Sequence, residues 1–407
     1  MNKLRRAIFT LTTNQKLPWA CLLFETLRTH NPECDLILGL VDRAHDGSYP
    51  EGCKIISVED IRLPDEKSFL FRYSAFNLCT AVKPYYFKYL FEMGYEKVLY
   101  FDSDIAVFQT LDRYFGLMEA GSDFILTPHL LKPTVKSDLP DDIAILRHGT
   151  FNLGFIGIAA SAESIPLVDW WAEKLQFNCV TLIEEGVFAD QKFIDLIPSF
   201  TSKISIVRDP GANFAYWNML RRVVSFEDER FYIDSLPLIF AHFSGFDIHD
   251  LGHLSKYGAR VEPEETRGLE ALILWYADKL RSFSADSYVP APYAFGSFYS
   301  GAAIPDGTRE KFRQSVYDPN EDPFACSALE DGSYAFVQRQ PPVIKQSTRF
   351  EETHDHLLVA LRELDTRTHH AFSLLQENET LKARIRELEG QGVTENVQGP
   401  SHRPPTH

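Results

Sequence analysis

The chain has 407 residues, 44% of them hydrophobic and 13% aromatic, enough to bury one large domain with appendages and to exclude a disordered or fibrous protein. Its 41 Lys and Arg stand against 57 Asp and Glu, a formal charge of −16, which excludes a nucleic-acid binder that works by neutralising phosphates. Cys21, Cys34, Cys53, Cys79, Cys179 and Cys326 have no CxxC spacing, so a zinc ribbon and a disulfide scaffold are excluded and free thiols are expected.

Met1 to Arg6 is basic, but the apolar run after it is too short and too soon polar for a signal peptide. No stretch is long enough to span a membrane, so a cytoplasmic protein is expected, with peripheral attachment at the inner face of a membrane left open. The first half then alternates short apolar runs with amphipathic stretches, the pattern of an α/β sheet built from β-α-β units. Arg6 to Leu11 reads as a strand, Trp19 to Thr29 as its helix, Asp35 to Val41 and Lys54 to Val58 as strands, and Ala81 to Phe91 as a helix. Lys97 to Phe101 is a compact strand that runs straight into Asp102. Further strands are expected at Phe124 to Thr127, Gly154 to Ala159 and Ser205 to Val207, completing a sheet that need not be all parallel.

From about Arg260 the pattern changes to a helix over Leu269 to Phe283, a stretch rich in Pro, Gly, Ser and Tyr, and a helix around Arg309 to Tyr317. The expected division is a catalytic domain over 1–260, an extension packed on it over 261–340, a coiled-coil helix over 350–390 and a disordered tail over 391–407. The coil rests on a heptad from Leu357 to Leu388, interrupted at Arg367 and Asn378; self-association or binding of a partner chain is its expected role. A helix folded back on the catalytic domain is the alternative.

Asp102-Ser103-Asp104 is the strongest local signal. Two carboxylates one residue apart, beyond the carboxyl end of a strand, can share a divalent cation that also bridges a diphosphate. A haloacid-dehalogenase-like phosphatase also places Asp-x-Asp after an apolar strand, but Ala106 stands where that motif carries Thr or Val. His242, after the apolar run Leu238 to Phe240, suits a manganese-type site beside the two carboxylates better than a magnesium site of oxygen ligands alone.

Ala81-Val82-Lys83, the Asp102 triplet, Phe151-Asn152-Leu153-Gly154, Asp190-Gln191 and His242-Phe243-Ser244-Gly245 stand in one order along the chain. In that order they resemble the glycogenin-like family of retaining glycosyltransferases and its bacterial relatives that build surface polysaccharides, over roughly residues 6–260. The resemblance implies a GT-A, Rossmann-like mixed sheet flanked by helices, and transfer of a sugar from a nucleotide diphosphate sugar, a UDP-sugar in the first instance, to a glycan, lipid-linked glycan or protein. It implies Mn²⁺ or Mg²⁺ on Asp102, Asp104 and His242, with Thr10, Thr12, Asn14, Lys83, Ser103 and Asn152 beside the donor. Gln191 is expected beneath the sugar ring, and Asp190 on sugar hydroxyls or the acceptor. Where the family continues into Lys-Pro-Trp this chain reads Phe246-Asp247-Ile248-His249, and Lys256, ahead of Arg260, is expected to supply the missing charge. Tyr85, Tyr86, Phe214, Tyr216 and Trp217 are expected to include an acceptor platform. A glycosyltransferase-like scaffold without turnover, acting through its coil, is the remaining alternative.

Overall fold

A computed structural model of the chain describes residues 5–45, 49–135, 140–220, 222–257, 267–284 and 291–338, together with Lys382. The expected coil over 350–390, the tail over 391–407 and Arg260 therefore lie outside the described residues.

Strands β1 (Arg6–Thr12), β2 (Asp35–Leu40), β3 (Lys54–Ser57), β4 (Lys97–Phe101), β6 (Phe124–Pro128) and β7 (Phe151–Ala159) join strand Ile204–Ile206 in one seven-stranded sheet; the short β5 (Ile105–Val107) stands outside it. The order is Ile204–Ile206, β6, β7, β4, β1, β2, β3. β1 is parallel to β2 and β4, whereas β7 runs antiparallel between β4 and β6, so the sheet is mixed. Helices cover both faces, which is why these strands read as nearly continuous apolar runs. Alternation sorts them into two cores. Phe9, Val98 and Tyr100 meet Tyr86, Phe87 and Trp171 on one face, while Ile8, Leu99 and Phe101 meet Leu23, Phe24 and Phe240 on the other.

The helices are α1 (Leu17–His30), α2 (Glu66–Arg72), α3 (Ala75–Ala81) and α4 (Lys83–Glu92), then Ser164–Asn178, Arg267–Phe283, Asp306–Gln314 and shorter pieces. The helix expected over Ala81 to Phe91 is α4, which begins two residues later and ends one residue later. Pro84 lies in the first turn of α4, where its missing N–H costs nothing, but it cannot continue α3. The helix expected at Arg309 to Tyr317 begins and ends three residues earlier, because Ser315 turns extended to pair with Gln338. All six cysteines are free thiols. Among the described residues no helix is long and apolar enough to cross a membrane.

The described residues up to Gln338 make one compact unit. Helix Arg267–Phe283 buries Leu272, Ile273 and Tyr276 in a third core with Phe214, Ala241 and Phe243, and Lys279 pairs with Glu25 of α1 at 2.6 Å. Arg309 is 5% exposed and donates to the carbonyls of Phe71 (2.6 Å), Tyr73 (2.8 Å) and Phe295 (2.5 Å). Each buried carbonyl left unpaired costs roughly 1–3 kcal/mol. Arg309→Leu is therefore expected to lower unfolding stability by about 3 kcal/mol or more, read as a fall in urea midpoint; an unchanged midpoint would refute this anchoring role.

Candidate active site

β4 ends at Phe101 and the chain turns at once through Asp102, Ser103 and Asp104 into β5. The turn is pinned from both sides: Asp102 N–H donates to the Gly154 carbonyl (2.7 Å) and Phe243 N–H to the Asp104 carbonyl (2.9 Å). Strand Phe240–His242 pairs antiparallel with β5, placing His242 opposite Ile105. The imidazole Nε2 then lies 3.0 Å from Asp104 Oδ1 and 3.8 Å from Asp102 Oδ2. One ligand atom from each of the three residues falls within 4.8 Å of the others. His242 is 4% exposed but the two carboxylate side chains are 35% and 30% exposed, so the cluster is walled behind and open in front.

Asn152 lies behind the imidazole. Its Oδ1 accepts from Gly154 N–H (3.1 Å), Asn213 Nδ2 (3.0 Å) and His242 Nδ1 (3.2 Å), while its Nδ2 donates to His129 Nε2 (3.3 Å). An amide oxygen only accepts, so this contact puts the His242 proton on Nδ1 and leaves Nε2 free for a metal. Gly154 is needed for the close approach, because a Cβ there would run into the His242 ring. Burial works to lower the His242 pKa, but Asp104 and Asp102 outweigh it and raise it. Burial likewise raises the Asp104 carboxyl, and His242 and Lys16 overcome it to hold it below its usual range. Two carboxylates and one tautomer-fixed imidazole form a donor set that fits a divalent ion of the manganese type.

A second network lies beneath. Lys83 is 1% exposed, donates to the Leu153 carbonyl (2.9 Å) and pairs with Asp190 at 2.5 Å; Asp190 is itself buried. The Lys83 ammonium also sits 4.3 Å from the centre of the Tyr100 ring, and Tyr100 donates to Asp102 Oδ1 (2.5 Å). Burial raises the Asp190 carboxyl, with Lys83 opposing. Gln191 uses both ends of its amide on backbone, accepting from Leu153 N–H (3.3 Å) and donating to the His148 carbonyl (2.9 Å). In this structure Lys83, Asp190, Gln191 and Asn152 all make protein contacts directly under the Asp102 turn.

The remaining expected donor residues line the end of β1. Thr10 is fully buried, Thr12 donates to the Thr13 carbonyl (3.2 Å), and Asn14 Nδ2 donates to the Arg43 carbonyl (2.8 Å). Asp42, at the end of β2, receives the N–H groups of Asn14 (3.2 Å), Arg43 (2.9 Å) and Ala294 (2.9 Å). Sequence reasoning missed Asp42, although its place after a strand was a usable signal. It also missed Lys16. That ammonium lies 3.8 Å over Trp19; desolvation lowers its pKa, against the pull of Asp104 and with the push of Lys256. Lys16 thus faces both Asp104 and Lys256. Lys256 is exposed, tied through its N–H to the Gly245 carbonyl (3.0 Å), and Ser103 is half-buried at the turn itself.

Residues 44–221, the stretch that holds this turn and its supports, match the family model described as nucleotide-diphospho-sugar transferase. His242 and Lys16 lie outside that segment and are brought to Asp104 by the fold. Two Bacillus subtilis (strain 168) proteins, the uncharacterized YfnF and YfnD, are 25% identical over 181 residues and 28% over 214, covering 44% and 52% of this chain. The matches span 59% and 66% of those two proteins, less than two thirds of either. Among solved structures, the galactosyltransferase LgtC with donor and acceptor sugar analogues matches at 13% identity and a TM-score of 0.38, over 70% of this chain and 97% of LgtC. The glycosyltransferase GlyE of Streptococcus pneumoniae TIGR4 matches at 15% and 0.36, over 73% of this chain and 67% of GlyE. The match over residues 44–221 favours a glycosyltransferase over the phosphatase.

Two outcomes follow from the network behind His242. Asn152→Ala frees the imidazole to rotate or change tautomer, and is expected to weaken Mn²⁺ binding by about 10- to 100-fold, measured by paramagnetic resonance; undiminished affinity would remove Asn152 from this role. His129 is 5% exposed and burial drives its pKa down to about 3. It stays neutral when folded yet takes a proton near pH 6.5 when unfolded, so stability falls with pH below about 6.5. Between pH 7 and 5.5 His129 is expected to account for about 1 kcal/mol of lost stability, a loss that His129→Gln should abolish in urea titrations at the two pH values.

Proposed function

We propose that this protein is a metal-dependent, GT-A-type glycosyltransferase that moves a sugar from a nucleotide diphosphate sugar, a UDP-sugar in the first instance, to a glycan, lipid-linked glycan or protein acceptor with retention of configuration. The observation that carries the reading is the convergence of Asp102, Asp104 and His242 at the open end of β4, within and beside a transferase segment. Asp102, Asp104 and His242 would hold Mn²⁺ or Mg²⁺, which supplies positive charge against a departing diphosphate. Thr12, Asn14 and Asp42 frame the nucleoside side at the ends of β1 and β2. Lys16 and Lys256 bring further positive charge to the phosphate side, an interaction that strengthens as the leaving group gains charge.

Retention needs either a carboxylate nucleophile or attack from the face the diphosphate leaves. The burial of Asp190 against Lys83 supports the second, since a carboxylate held in a 2.5 Å ion pair is a poor nucleophile. Asp190 then acts by fixing Lys83 and the β7 backbone, and Gln191 by holding Leu153 beneath the sugar. Polysaccharide synthesis, a cytoplasmic location with peripheral membrane attachment, and self-association through 350–390 belong to the same reading.

Asp102→Ala and Asp104→Ala are each expected to abolish metal-dependent turnover of a nucleotide sugar while far-UV circular dichroism stays unchanged, and a chelator should do the same to the wild type. Lys16→Ala and Lys256→Ala are expected to lower kcat more than they raise KM. Full activity in chelator would sink the metal-dependent reading, and aspartyl-phosphate on Asp102 would establish the phosphatase.

A further inference from the structure

β1, β4, β6 and strand Ile204–Ile206 all point the same way, so their carboxyl ends share one edge of the sheet. The nucleoside side lies beyond β1 and the Asp102 turn beyond β4. Beyond β6 and Ile204–Ile206 the same edge holds a cavity of about 350 Å³, of the size that small-molecule sites occupy. Trp217 is the partition: it lines the cavity, is 5% exposed, and its ring lies 5.1 Å from the ring of His242 and 5.3 Å from that of His129. Its indole N–H is buried with no hydrogen-bond partner. A ligand in this cavity is therefore one indole away from the metal-type triad, on the side opposite the nucleoside.

The walls combine apolar and cationic groups. Leu130, Leu131, Pro133, Pro210 and Leu220 supply apolar surface suited to the C–H face of a pyranose, and the nearly covered Trp217 closes the wall toward His242. Four charged side chains line the cavity. Arg222 is already committed, with Asp234 at 3.5 Å and Asn218 Oδ1 at 3.1 Å, so these two cancel. Lys132 and Arg208 are exposed, and among the described residues neither has a carboxylate partner. Two unbalanced cations thus line one cavity of a chain whose net charge is −16.

We infer that this cavity is the acceptor subsite and that it selects a sugar carrying an anionic group, a uronic-acid carboxylate or a phosphate ester, with the pyranose against the apolar wall and the anion on Arg208 and Lys132. The assignment rests on the transferase reading and adds the substrate class to it. Charge-assisted hydrogen bonds of this kind distinguish an anionic sugar from its neutral counterpart by about tenfold or more in affinity.

The test uses the full-length protein with Mn²⁺ and saturating UDP, titrated with methyl β-D-glucuronide, glucose 6-phosphate and methyl β-D-glucoside, and followed by ligand-observed NMR. UDP affinity is measured separately by calorimetry. At least one anionic sugar is expected to bind about tenfold tighter than the glucoside, and the doubly substituted Arg208→Gln, Lys132→Gln protein should lose that preference while keeping its UDP affinity. The stronger of the two anionic ligands identifies the carboxylate or the phosphate as the group read. Equal binding of all three sugars overturns the inference. So does inorganic phosphate that competes as well as glucose 6-phosphate, or a double variant that loses UDP affinity, which would give the two cations to the donor. Failure of wild-type protein to bind UDP at all overturns the transferase reading, and this assignment with it.

Discussion

The site depends on how closely β7 passes beneath His242. Gly154 offers its carbonyl to the Asp102 N–H on one side and, having no side chain, leaves room for the imidazole on the other. Two residues earlier, Asn152 directs its amide oxygen at the same imidazole. One fully buried stretch of β7 therefore orients both the carboxylate turn and the histidine that faces it. Side chains held by a strand with no freedom to shift can keep three ligand atoms together without a ligand present, which is the kind of preorganisation a metal site needs.

Buried charge sets the second constraint. Lys83 and Asp190 are both out of water, where either alone would be costly, and their pairing places a cation under Tyr100 and thereby under Asp102. The pair also separates the carboxylates by task. Asp190 is spent inside the protein, while Asp102 and Asp104 keep exposed oxygens. Among the described residues, the two open carboxylates have Lys16 beside Asp104, while Lys132 and Arg208 line the cavity beyond Trp217.

The residues after Arg267 take part in the site from a distance. Tyr276 stacks on Phe243 at 3.5 Å between ring centres, next to His242, and the Ala294 N–H holds Asp42 at the end of β2. Helix Asp306–Gln314 sends Arg309 into the carbonyls that end α2. The end of β2 and the strand that carries His242 are thus both braced by chain that follows Arg267.

Much was legible in order along the sequence. Short continuous apolar runs located the sheet strands to within a few residues, because a strand covered on both faces must be apolar throughout; the pairing of Asp102 with Asp104, and the likeness carried by Lys83, Asn152, Asp190, Gln191 and His242, were visible as spacing. What each of those side chains touches was not. Spacing cannot show that Asn152 and Gln191 spend their amides on protein partners, or that Lys16 comes near enough to Asp104 to help hold its carboxyl down. A sequence by itself determines which chemistry is available and at which strand end it emerges, since both follow from local periodicity; only tertiary packing decides which of those groups neutralise one another and which are left facing a ligand, because burial and charge pairing are set by neighbours far away along the chain.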